Sequence, residues 1–268
     1  MRKLSDITHI GRIVDWRLPS NRVLLLVPVG AALVLYGLDT SDLRRAFAGA
    51  LGSAAAWMLA RELDPDRPSA ATIAAVLAPV STLVLGSPAP AALFVTMLAA
   101  RILARTTGLP PRTTDYLAVG AGAVLFAATP WGWAAGILLA FAMVRDAALP
   151  GDPPPNAGLW GAALAIGVTL RAALGDQLGS WTVPDATSLG FIVLGLAGAA
   201  VVTQPVPVLS VGDWTKMPLE PRRVREAGFF AVLTAALAVV AGGQAGVVAV
   251  APLLVTFPAV AAARIASR

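Results

Sequence analysis

Five charged residues crowd into seven positions at 61–67, where Arg61, Glu62, Asp64, Asp66 and Arg67 are interrupted only by Leu63 and Pro65. Carboxylates this close can share a Mg²⁺, an ion held through one or two carboxylates together with substrate phosphates. Arginine forks beside them can take phosphate or carboxylate oxygens in pairs. Similar charge recurs downstream. Arg101 and Arg105 sit four apart, on one face of a helix, and Arg112 and Asp115 follow beyond TTGLPP. Arg145 and Asp146 are adjacent, and Asp152 lies in the turn LPGDPPP. A longer polar stretch, 204–226, carries Asp213, Trp214, Lys216, Arg222, Arg223, Arg225 and Glu226.

Two readings of these residues stay open. In the first, they converge on one layer that binds the phosphate of a lipid. Asp64 and Asp66 then hold Mg²⁺, Arg61, Arg105 and Arg145 hold phosphate oxygens, and metal and arginine stabilise a leaving diphosphate. In the second, the arginines and carboxylates pair with one another and with headgroups, hold the turns and set orientation, and need no cofactor. No catalytic residue is assigned in either.

Much other chemistry lacks its parts. The chain has no cysteine, so disulfides and thiolate catalysis are excluded. Its one histidine, His9, cannot supply a histidine-based zinc site or a Ser-His-Asp triad deeper in the chain. The interiors of the apolar segments hold no ionisable residue, which argues against a proton-coupled pump. Thr82, Thr96, Thr169, Thr234 and Thr256 are the polar residues left at depth, and threonine there bonds its own helix backbone. Pro28, Pro79, Pro252 and Pro258 interrupt apolar segments, and breaks of that kind either form substrate sites, as in transporters, or simply kink the helix.

The elements that must position the charges are apolar. Of 268 residues, 57% are hydrophobic and 13% charged, about half the charged share of a soluble domain. Segments near 23–38, 46–60, 69–86, 90–104, 116–129, 131–144, 157–173, 187–203, 227–241 and 247–263 are apolar on every face, separated by GSPAP, TPWGW, LPGDPPP and GGQAG. This predicts an all-α, polytopic transmembrane helix bundle of about ten short spans in hairpins. Ten is the preferred count, and eight with two re-entrant pieces is the alternative. Residues 1–22 read as a basic interfacial segment built on Ile10, Ile13, Val14, Trp16 and Leu18, and 23–268 as a single helical domain. Thr40 or Ser41 is the expected N-cap of the second helix.

With both termini placed in the cytoplasm and ten spans alternating, only Arg44, Arg45 and Arg171 of the 20 basic residues fall on the other side. That bias supports the orientation. It also accounts for the net charge of +5 without a nucleic-acid partner. The partners expected are the lipid bilayer and anionic headgroups at the cytoplasmic face of a bacterial or archaeal membrane. A membrane-protein partner or a homo-oligomer is left open. Charged turns recur near Arg61, Arg105 and Arg145, which reads as one hairpin design used three times.

RELDPDRP and VRDAALPGDPPP follow the second and sixth segments, a placement similar to that of the acidic motifs in UbiA-type intramembrane prenyltransferases. The strings differ. That family reads N-D-x-x-D, whereas Asp64 and Asp66 lie two apart with no preceding asparagine, and Asp146 and Asp152 are more widely spaced than its second motif. Ten short spans with minimal loops also resemble the architecture of drug/metabolite transporters. The preferred function is accordingly a carrier-like permease or membrane subunit without catalysis, with a transferase acting on a phosphate-bearing or prenyl lipid as the alternative.

Overall fold

The computed structural model describes residues 7–11, 17, 19–129, 131–151, 156–175 and 181–267. It is all-helical: α1 Pro19–Leu38, α2 Leu43–Leu63, α3 Pro68–Leu85, α4 Pro90–Ala104, α5 Thr113–Phe126, α6 Gly132–Asp146, α7 Ala157–Leu174, α8 Ala186–Val202, α9 Pro221–Ala249 and α10 Ala251–Ala266. Among the described residues there is no strand, only isolated bridges at Thr182–Gly243 and Val211–Pro218. Four helices, α1, α3, α7 and α9, are long and apolar enough to cross a membrane. The others are shorter or more charged. At about 1.5 Å of rise per residue, the 14 residues of α5 reach only about 21 Å. The proposed interfacial helix lies mostly outside the described residues.

Breakers set the ends where expected, with proline in the first turn of α3, α4, α9 and α10. Three details differ. The N-cap of α2 is Asp42, not Thr40 or Ser41: its carboxylate accepts from Arg45 N–H at 2.8 Å, while the Ser41 hydroxyl donates to Asp39 at 2.6 Å. Helix α9 starts at Pro221 behind the cap Glu220, so Arg222 to Glu226 form its first turns and not the end of a loop. At GGQAG only Gly243 leaves helical geometry, with φ 52° and ψ −128°, and helix continues to Ala249. Glycine tolerates that φ. Here the extended stretch from Trp181 enters the gap, and Thr182 O accepts from Gln244 N–H at 3.0 Å.

Packing follows from side-chain size. Ala70, Ala71, Ala74, Ala75 and Ala78 give α3 a fully buried alanine face, and α3 packs on α2 and α10. The α8–α10 crossing is closer still, with a Cβ on Gly198 falling 2.3 Å from the Pro258 nitrogen. Large apolar residues lie outward instead, including Leu26, Leu33, Leu125, Leu159, Val193 and Leu196. Small inside and large outside suits helices whose association rests on close backbone approach. All five deep threonines bond the carbonyl four residues back in their own helix, as expected.

Candidate functional site

A helix leaves its last four carbonyls without intrahelical donors. At one end of this bundle, arginines supply them across helices. Arg264 near the end of α10 donates to Val201 O at 2.7 Å and Val202 O at 3.4 Å at the end of α8, and to Leu63 O at 3.3 Å at the end of α2. Arg223 in the first turn of α9 donates to Leu103 O of α4, and to Asp146 O and Leu149 O at the end of α6. Guanidinium charge also opposes the negative ends of these helix dipoles. The C-termini of α2, α4, α6, α8 and α10 therefore meet in one layer with the start of α9.

The carboxylates sit among these arginines. Asp146, fully buried, accepts from Arg105 at 3.1 and 2.9 Å, from Arg223 at 2.5 Å and from the Tyr116 hydroxyl at 2.9 Å. Glu62, also fully buried, accepts from Arg101 at 2.8 Å and from the Thr106 hydroxyl. Helix α4 thus joins two carboxylate clusters through arginines one turn apart. Asp64 accepts from Arg67 at 3.2 Å and from Arg264 at 2.9 Å. Asp66 faces elsewhere and takes the backbone N–H groups of Leu209 and Ser210 at 2.9 and 2.7 Å.

The remaining candidates lie around this core. Asp115 caps α5 by accepting from Arg112 N–H at 2.9 Å, and it also receives the Thr8 hydroxyl at 2.6 Å. The Arg112 guanidinium lies 2.8 Å from a ring nitrogen of His9. Arg61 donates to Pro65 O at 3.1 Å. Arg145 forms a more exposed pair with Glu226 at 2.6 Å. Asp152 lies outside the described residues.

Arg223 and Glu226, from the polar stretch 204–226, join the layer through α9, and Arg264, Tyr116 and Thr106 join it without a counterpart in the sequence reading. Arg264 had a signal, a basic residue in the last turn of a helix, where carbonyls lack donors. Tyr116 had none, since a tyrosine at the edge of an apolar segment reads as an interfacial anchor.

Asp64 and Asp66, the metal pair of the enzyme reading, turn to separate partners, and Mg²⁺ at this pair would have to replace those bonds. Among the described residues no group of three or more His, Asp or Glu side chains is arranged to hold a metal.

Asp66 carries a testable electrostatic consequence. Partial burial pushes its carboxyl up, but the bonds from Ser210 and Leu209 outweigh this and hold it below the ordinary 3.8, with Arg67 adding to the effect. A carboxyl depressed in the folded state contributes stability that is complete above its ordinary value and is lost as pH falls through the folded value. Protection of the Leu209 and Ser210 amides, taken relative to the intrinsic exchange rate at each pH, should therefore be present at neutral pH, fall away as pH drops below about 3.8, and be reduced at neutral pH in Asp66→Asn.

The opposite end of the bundle is different. There Arg45 donates to Thr82 O and Leu83 O, and Ala89 N–H to Ala249 O. A cavity of about 520 Å³ opens beside them, walled mainly by apolar groups of α2, the α3–α4 turn, Trp131 and the part of α9 beyond Gly243. Comparison with protein-family models, curated proteins and solved structures returns no match.

Proposed function

We propose that the chain is an integral membrane protein, with its arginine–carboxylate layer toward the cytoplasm, that acts without catalysis as a carrier-like permease for an apolar or amphipathic solute. The contrast between the two ends carries this reading. At the charged end, Asp64 and Asp146 are taken by arginines that also cap helices and Glu62 by Arg101 of α4, a latch rather than an open metal site. At the other end the large cavity is apolar and adjoins the break in α9, and broken helices are where transporters hold their cargo. The outward leucines and valines suit lipid contact, and the charge bias suits a cytoplasmic latch.

The cysteine-free chain lends itself to site labelling. A membrane-impermeant maleimide should label Ser87→Cys on intact cells, and Met217→Cys only after the membrane is opened. The reverse pattern overturns the orientation, and release of the protein by alkaline carbonate overturns insertion. Alternating access adds a second expectation. Arg264→Gln loosens the latch, so it should slow the labelling of Ala91→Cys, in the cavity at the far end, severalfold. An unchanged rate overturns the carrier in favour of a static subunit.

A further inference from the structure

Arg44 sits at the opposite end of the bundle from the arginine–carboxylate layer. It lies in the first turn of α2, exposed, at the rim of the 520 Å³ cavity, and among the described residues no hydrogen bond or ion pair engages it. The two nearby carboxylates bond locally, Asp39 with Ser41 and Asp42 with the N–H of Arg45, and among the described residues neither forms an ion pair with Arg44. Below Arg44 the same face of α2 carries Phe47 and Leu51, three and seven residues on, and both line the cavity. At about 1.5 Å per residue they lie about 4.5 and 10.5 Å further into the bundle. Val248 and Trp131 line it as well. The wall therefore runs from one unpaired positive charge at the end of the bundle to apolar surface beneath it.

From this gradient we infer that the cavity binds a single-chain amphiphile with an anionic head, the head on Arg44 and the chain along Phe47 and Leu51. This rests on the membrane reading above and names the class of solute. A guanidinium fork takes a carboxylate or a phosphate in a bidentate pair, and the apolar wall takes a hydrocarbon chain. The volume is in the lower half of the roughly 300–1,000 Å³ of small-molecule sites, a size for one chain rather than the two of a bilayer phospholipid. Trp131 connects the site to the rest of the fold. Its ring lies against Gly242, where a Cβ would fall 2.1 Å from it, one residue before the break at Gly243.

The probe is a diazirine-bearing hexadecanoic acid added to the full chain in nanodiscs of phosphatidylcholine, with adducts mapped by peptide mass spectrometry. Saturable labelling is expected on the α2 peptide holding Phe47 and Leu51, competed by hexadecanoate or its phosphate-headed counterpart and not by hexadecanol. Arg44→Gln, at an exposed position that folding does not use, should weaken labelling at least tenfold. Ala245→Phe should fill the cavity and remove it. Labelling spread evenly over the outward helix faces, equal competition by the alcohol, no effect of Arg44→Gln, or no adduct overturns the site. Competition by phosphatidylglycerol but not by hexadecanoate overturns the single-chain assignment. A reversed maleimide pattern with intact Arg44-dependent labelling overturns the orientation alone, so the two failures are distinguishable.

Discussion

Asp146→Ala should cost the protein about 3–5 kcal/mol of stability, the usual penalty for breaking a buried ion pair from one side. Asp146 is fully buried and faces Arg105, Arg223 and Tyr116. Truncation leaves two guanidiniums in a low-dielectric site without their counter-charge, and strands a phenol hydroxyl. Equilibrium unfolding of the detergent-solubilised protein measures the loss. The converse substitution separates architecture from function. Replacing Asp146, Arg105 and Arg223 together with Leu, Met and Met should recover much of the stability, because a buried ionic cluster exchanged for well-packed apolar groups is often neutral or better. Recovery will be incomplete, since Arg223 also serves the carbonyls of Leu103 and Leu149. A cost below about 1 kcal/mol for Asp146→Ala, the range of an exposed pair, would contradict the buried cluster.

Gly198→Val should be nearly as damaging, for a reason unrelated to charge. A Cβ at this position falls 2.3 Å from the Pro258 nitrogen and 2.4 Å from the Phe257 carbonyl carbon, both backbone atoms of α10 that no rotamer change can move. Helices α8 and α10 must separate, and the bonds from Arg264 to Val201 and Val202, one turn further along, stretch with them. Overpacking costs about 1–3 kcal/mol and occasionally more, and the upper part of that range is expected here. Gly190→Ala in the same helix is the control. Nothing lies within 4 Å of its Cβ, so it should be neutral or should gain up to about 1 kcal/mol by removing a mid-helix glycine. Equal losses for both variants would show that the effect is not contact with α10.

The sequence carried the helices better than the pairings. Proline and glycine breakers mark ten elements because a helix must end where donors or carbonyls find other partners, and such ends concentrate breakers and charge. Boundaries slipped where tertiary contacts override local signals. GGQAG reads as a turn, but Thr182 comes from the preceding connection to fill the gap at Gly243, so the chain stays helical on both sides. The charged residues were legible as a layer, and their partners were not. Arg61 and Glu62 are neighbours in sequence, yet adjacent positions on a helix do not face each other. Glu62 pairs with Arg101 on α4, and Arg61 turns back to Pro65 O. Asp64–Arg67, three apart, forms the local pair that proximity suggests. Arg44 shows the same limit from the other side: its sequence neighbour Arg45 finds carbonyls on α3, and nothing in the sequence distinguishes the two.

Arg264 also puts the chain under a constraint of time. It closes the carbonyl ends of α2 and α8, yet it is made 200 residues after Asp64. At about 5–20 residues per second, the early half of the bundle waits at least ten seconds or so for the side chain that completes it. During that interval the carbonyls at the end of α2 must find other donors. The layer can lock only once α10 has been made and Arg264 has reached the ends of α2 and α8, so its closure comes late in the folding of these ten helices.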